Sequence, residues 1–170
     1  MLFLCQMKKL IAVFAFVFAT VFAFAQNTTA PAYKRFPTLP PLKILLTDST
    51  TWYTKANIPA KKAAMVIVFD PECDHCQHET EDIVKNIDKL KDITIVMASP
   101  AEFSKIKSFY AKYNLKRFKN IVMGRDTGFV LPTFYKISNL PFMAFYNKKG
   151  DLIDAFEGNL SIPKILEKFK

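Results

Sequence analysis

Glycine is scarce in this chain, with four among 170 residues, which excludes collagen-like and glycine-rich repeat architectures. Three cysteines are too few for a small fold stapled by several disulfides. Histidine occurs only at positions 75 and 78. No internal period of repeat length is found. There is no phosphate loop, nucleotide fingerprint or aromatic-interleaved basic motif of the kind nucleic-acid binders carry. What is present is a globular composition: 51% hydrophobic and 23% charged, enough apolar material for one packed domain. The formal net charge of +9 permits attraction to anionic surfaces without naming a partner.

Part of the apolar content belongs to the N-terminus. Lys8 and Lys9 precede the uncharged run Leu10 to Ala25, which ends in Ala23-Phe24-Ala25 before Gln26. A basic start, an apolar stretch too short for an ordinary membrane span and small residues at its end predict a secretory signal over residues 1–25. An uncleaved N-terminal anchor is the alternative. Met7 is a better start than Met1, and Cys5 falls within the segment removed. The mature chain then carries +7 and two cysteines, Cys73 and Cys76, in a compartment where disulfides persist. Residues 26–41 contain four prolines and predict an exposed linker, followed by a domain over 42–170.

The domain reads as alternating strands and helices. Lys43 to Thr47 predicts a short edge strand, and Trp52 and Tyr53 should pack. Ala63 to Phe69 is an unbroken apolar run, the pattern of a strand buried on both faces. A helix should follow over 74–91, with Ile83, Val84, Ile87 and Leu90 inward and Glu79, Glu81 and Asp82 mostly facing water. Ile93 to Ala98 is a second buried strand. Ser99 and Pro100 should cap and open a helix over 101–113. Asn120 to Met123 predicts a short strand, and residues 127–137 a helical turn interrupted at Pro132. Pro141 to Tyr146 and Asp151 to Glu157 flank a glycine-containing turn, the pattern of a hairpin. Ser161 should cap a last helix. The implied architecture is α/β, a mixed central sheet with helices on both faces.

Cys73-Asp74-His75-Cys76 sits where a buried strand runs into a helix. The free N–H groups and positive dipole end of a helix stabilise a thiolate there. Cys73 should be the exposed nucleophile. Cys76, one turn further in, should resolve a mixed disulfide. His75 would favour the thiolate, whereas Asp74 and Glu72 would oppose it.

This motif after Met65 to Phe69, with Leu140-Pro141 well downstream and a terminal hairpin and helix, resembles the thioredoxin-fold family. More narrowly it looks like the exported TlpA/ResA-like thiol-disulfide oxidoreductases of Bacteroidetes type. The resemblance implies a thioredoxin-like fold with an N-terminal strand extension and a reductase-type exchange with protein disulfides and dithiols. It further implies a periplasmic or extracellular location, a membrane electron-transfer partner, a monomer, and no cofactor or nucleic acid. Pro141 would be a cis-proline beside the cysteines, and Leu140 would offer its backbone to substrate. There are departures. Glu72 replaces the tryptophan usual before the first cysteine, Asp-His replaces the common inter-cysteine pair, and Ile67 stands where thioredoxin has a buried acid. The alternative is a noncatalytic module binding copper, zinc or a partner, with Cys73, His75, Cys76 and His78 as candidate ligands.

Overall fold

The structure, a computed structural model, describes residues 30–170, so the leader and the first residues of the expected linker lie outside the described residues. A short helix α1 (Ala32–Arg35) precedes β1 (Lys43–Leu46), β2 (Trp52–Thr54) and β3 (Ala63–Val68). Next come α2 (Asp74–Lys85), β4 (Ile93–Ser99), α3 (Phe103–Lys112) and β5 (Ile121–Arg125). The chain closes with α4 (Val130–Tyr135), β6 (Phe142–Tyr146), β7 (Leu152–Glu157) and α5 (Ile162–Glu167).

The strands form one sheet in the order β2-β1-β5-β4-β3-β6-β7. β3, β4 and β5 are parallel neighbours, while β6 and β7 run antiparallel on one side and β1 and β2 on the other. Every residue of β3, β4 and β6 is buried, as their continuous apolar runs require of strands covered on both faces. Strand alternation divides the core. Met65, Ile67 and Phe69 face α2, α3 and α5 through Cys76, Ile83, Ile106, Phe109 and Ile165. Ala64, Val66 and Val68 face the opposite layer, built on Leu42, Leu131, Tyr135 and Tyr146. There the Tyr135 and Tyr146 hydroxyls share a buried hydrogen bond of 2.7 Å.

Several expectations are corrected. Residues 32–41 stay largely exposed, at Lys34 to Thr38 and at Pro41, but are anchored to the domain through Tyr33 and Leu39. Tyr33 stacks its ring 5.7 Å from Tyr135 and 6.1 Å from Phe142. Thr38 bridges to Asp151, Leu39 N–H donates to Gly150 O at 2.9 Å, and Leu152 N–H donates to Pro37 O at 2.9 Å. After the helical turn, the prolines between 37 and 41 hold the chain extended, and Tyr33 and Leu39 cover apolar surface. The compact unit therefore begins at Ala32.

Pro132 does not interrupt α4, because it lies in the first turn, where a missing N–H costs no intrahelical bond. The buried Asp126 carboxylate instead accepts the N–H groups of Val130 at 3.1 Å and Leu131 at 2.7 Å. Ser99 ends β4 rather than capping α3, which starts at Phe103 after Glu102. The long helix expected over 74–91 breaks at Asn86 and continues as a 3-10 turn over Ile87–Leu90. Trp52 is 42% exposed, with Lys43 Nζ 4.7 Å from its ring centroid.

Candidate active site

The site lies at the carboxyl end of β3. Phe69 remains in the core, and Asp70-Pro71-Glu72 turns the chain. Asp70 makes that turn with its side-chain oxygen accepting Glu72 N–H at 2.8 Å and its carbonyl accepting Cys73 N–H at 3.2 Å. Cys73 occupies the N-cap of α2 in extended conformation, φ −79° and ψ 120°, with no side-chain capping bond. Its sulfur is therefore not spent on capping and stands beside the positive end of the helix. Cys73 is half-buried, whereas Cys76 is 1% exposed, and both are free thiols. Burial pushes the Cys76 thiol far above its ordinary value. A backbone hydrogen bond at Asp70 opposes this, while Cys73 and the Asp70 charge reinforce it.

Leu140 and Pro141 lie across from the motif. Cys73 Sγ is 4.0 Å from the Leu140 carbonyl oxygen, and the Leu140–Pro141 peptide bond is cis. A cleft of about 310 Å³ adjoins this contact, with Phe69, Pro100, Phe129, Pro132, Ile137 and Leu140 in its wall. Phe129 is 57% exposed.

The flanking charges divide. Glu72, next to Cys73 in the chain, is paired with Lys105 of α3 at 2.7 Å, both side chains at the surface. Asp74 and His75 occupy the exposed first turn of α2, and His78 is also exposed. Among the described residues, no three His, Cys, Asp or Glu side chains converge as a metal site would need. Cys73 and Cys76 lie together, whereas His75 and His78 stand exposed on the helix surface.

Sequence reasoning missed Glu79, which was expected to face water. It is 3% exposed. Cys76, Glu79, Thr80 and Ile83 fall at i, i+3, i+4 and i+7, and they are the buried residues of α2. That spacing was the available signal: an acid on the same stripe as the inner cysteine. Glu79 Oε2 accepts Leu160 N–H at 2.8 Å and Asn159 Nδ2 at 3.2 Å, while Oε1 is buried without a partner. Burial pushes the Glu79 carboxyl above the usual range; the Leu160 and Asn159 hydrogen bonds oppose this, and Asp82 adds to it. A buried acid therefore lies on the face of α2 that carries Cys76, while β3 carries the apolar Ile67.

No protein-family model matches the chain, and no curated protein does. Solved structures do. A secreted disulfide oxidoreductase of Mycobacterium tuberculosis, described as homologous to E. coli DsbE, superposes with a TM-score of 0.63 at 19% identity, covering 75% of this chain and 93% of that one. DsbF of the same organism gives 0.65 at 18%, covering 82% and 96%. A thiol:disulfide interchange protein of Chlorobium tepidum gives 0.65 at 15%, covering 84% and 96%. With a mixed α/β sheet and helices on both faces, the chain has a thioredoxin-like fold.

Proposed function

We propose that this protein is an exported thiol-disulfide oxidoreductase of the TlpA/ResA-like kind that reduces disulfides in protein substrates. The observation that carries the reading is the asymmetry of the pair. Cys73 is accessible at a helix N-cap beside the Leu140 carbonyl, and Cys76 is buried one turn inward on the stripe that also holds Glu79.

The chemistry follows from that asymmetry. The Cys73 thiolate attacks one sulfur of a substrate disulfide. The substrate S–S bond breaks, a Cys73–substrate disulfide forms, and the departing substrate thiolate takes a proton from water. Cys76 then gives its proton to Glu79 and attacks Cys73 Sγ. The Cys73–Cys76 bond forms as the second substrate thiol leaves and is protonated. Two electrons have passed from the dithiol to the substrate. A dithiol electron donor at the membrane restores the pair by the reverse exchange. Leu140 and Pro141 line the approach to Cys73, and His75, Asp74 and Glu72 set the local charge. The exchange needs no organic cofactor and no second subunit. The basic, apolar N-terminus supports export to a periplasmic or extracellular setting.

The test is trapping with a protein disulfide substrate. Cys76→Ser should accumulate a mixed disulfide through Cys73, Cys73→Ser should form none, and the wild type should cycle with a potential near about −270 mV, the thioredoxin region. A pair that fails to cycle, with zinc or copper(I) bound stoichiometrically across both thiols, would overturn the reading.

A further inference from the structure

Three consecutive residues between β7 and α5 touch three separate parts of the site. Gly158 N–H donates to the Pro141 carbonyl at 2.8 Å, from a left-handed φ of 93° that favours glycine. Asn159 Nδ2 donates to the His75 carbonyl at 2.8 Å and to Glu79 Oε2 at 3.2 Å. Leu160 N–H donates to the same Oε2 at 2.8 Å. The loop thus ties together the strand beside Cys73, the turn that carries both cysteines, and the buried acid.

Resting on the oxidoreductase reading, we propose that Asn159 is a positioning residue. One side-chain amide holds Glu79 by Oε2, which leaves Oε1 free on the helix face that carries Cys76, and it holds the Cys73–Cys76 turn through the His75 carbonyl. A carboxylate has two equivalent oxygens, and here both donors fall on Oε2 while Oε1 is buried and unpartnered. The oxygen left with its lone pairs free is the one able to accept a proton. The amide spends its two hydrogens on acceptors that belong to the two reacting halves, the acid and the thiol turn. The groups bearing on Glu79 are Asp82 from its own helix and, from the packed loop, the neutral Asn159 amide and Leu160 N–H. Asn159 is thus one of two donors that favour the carboxylate form against burial.

The experiment uses the full chain in a Cys5→Ser background, reduced and mixed with 5,5′-dithiobis(2-nitrobenzoate). The first thionitrobenzoate reports attack by Cys73, and the second reports resolution by Cys76. The readout is the pH midpoint of the second phase, normalised to the first. Removing a donor from a carboxylate favours its protonated form, so Asn159→Ala should move that midpoint up by about one pH unit, and Asn159→Asp further. A midpoint unmoved in both overturns the proposal. Should the alanine variant fail to fold, Asn159→Ser, too short to bridge both acceptors, gives the same reading. If Glu79→Gln leaves the profile unchanged, no acid is there to position and the proposal falls, while two-phase release still supports the oxidoreductase. If the parent protein shows no second phase, the oxidoreductase reading itself fails.

Discussion

Glu79 offers a way to separate folding from chemistry. In Glu79→Ala, the Leu160 N–H, on a residue 7% exposed, loses its acceptor. A buried donor left unpaired costs about 1–3 kcal/mol. Asn159 loses less, because it sits at the surface and keeps the His75 carbonyl. In Glu79→Gln, the amide oxygen takes the place of Oε2 and keeps both donors. The amide nitrogen takes the place of Oε1, replacing one unpartnered buried atom with another. The glutamine variant should therefore stay close to the parent, whereas the alanine variant should be less stable by about 2 kcal/mol, roughly a 6 °C fall in Tm for a domain of this size. Both variants lose the proton acceptor. General-base assistance is typically worth about 10²–10⁴-fold, so resolution by Cys76 should slow by at least about 100-fold in each at neutral pH. Urea unfolding of the reduced proteins gives the first quantity, and stopped-flow release of the substrate thiol gives the second. A glutamine variant as unstable as the alanine one would refute the hydrogen-bond accounting. One that resolves at the parent rate would refute the role of the acid.

Two further outcomes follow from the same physics. Asp126→Ala should destabilise the protein by about 3 kcal/mol, because it strips two N–H groups of α4 of a buried anionic acceptor, while Asp126→Asn should lose about 1 kcal/mol; thermal unfolding distinguishes them. The raised Cys76 value makes a pH statement. The native reduced protein keeps a proton that the unfolded chain releases near its ordinary thiol value of about 8.5. This contribution to stability is therefore fully present below that pH and is lost as pH rises above it, by up to about 1.4 kcal/mol per unit. Cys76→Ser should flatten that alkaline loss in urea titrations between about pH 8 and 9.5; an equal loss in both proteins would contradict the assignment.

The central strands were legible because their signal is redundant. Ala63 to Phe69 and Ile93 to Ala98 are apolar throughout, β-branched and short, and no other element suits them. The cysteine motif was legible because its spacing and its strand-to-helix setting agree. Other features depend on tertiary contacts that no local pattern encodes. Residues 32–41 look like a solvated linker until Tyr33 is seen against Tyr135 and Phe142. Pro132 looks like a helix breaker unless Asp126 is known to supply the cap. Glu79 was obscured because the apolar stripe was counted from Ile83 onward rather than back to Cys76. Asn159 carries no signal at all in the sequence, since its partners lie 84 and 80 residues away along the chain.

The pairing of Thr38 with Asp151 has a consequence for how the molecule is made. Its two partners lie at opposite ends of the domain, so the contact is among the most non-local in the fold and among the slowest kinds to form. During synthesis, the segment around Tyr33 is the first of the compact unit to leave the ribosome and waits for the β6–β7 hairpin, which leaves nearly last. Until then, the segment after Tyr33 lacks its anchoring bonds to Asp151 and Leu152, and β6 at the edge of the growing sheet has no partner. A chain halted before residue 151 would present both at once, the combination that recruits holding chaperones or drives aggregation.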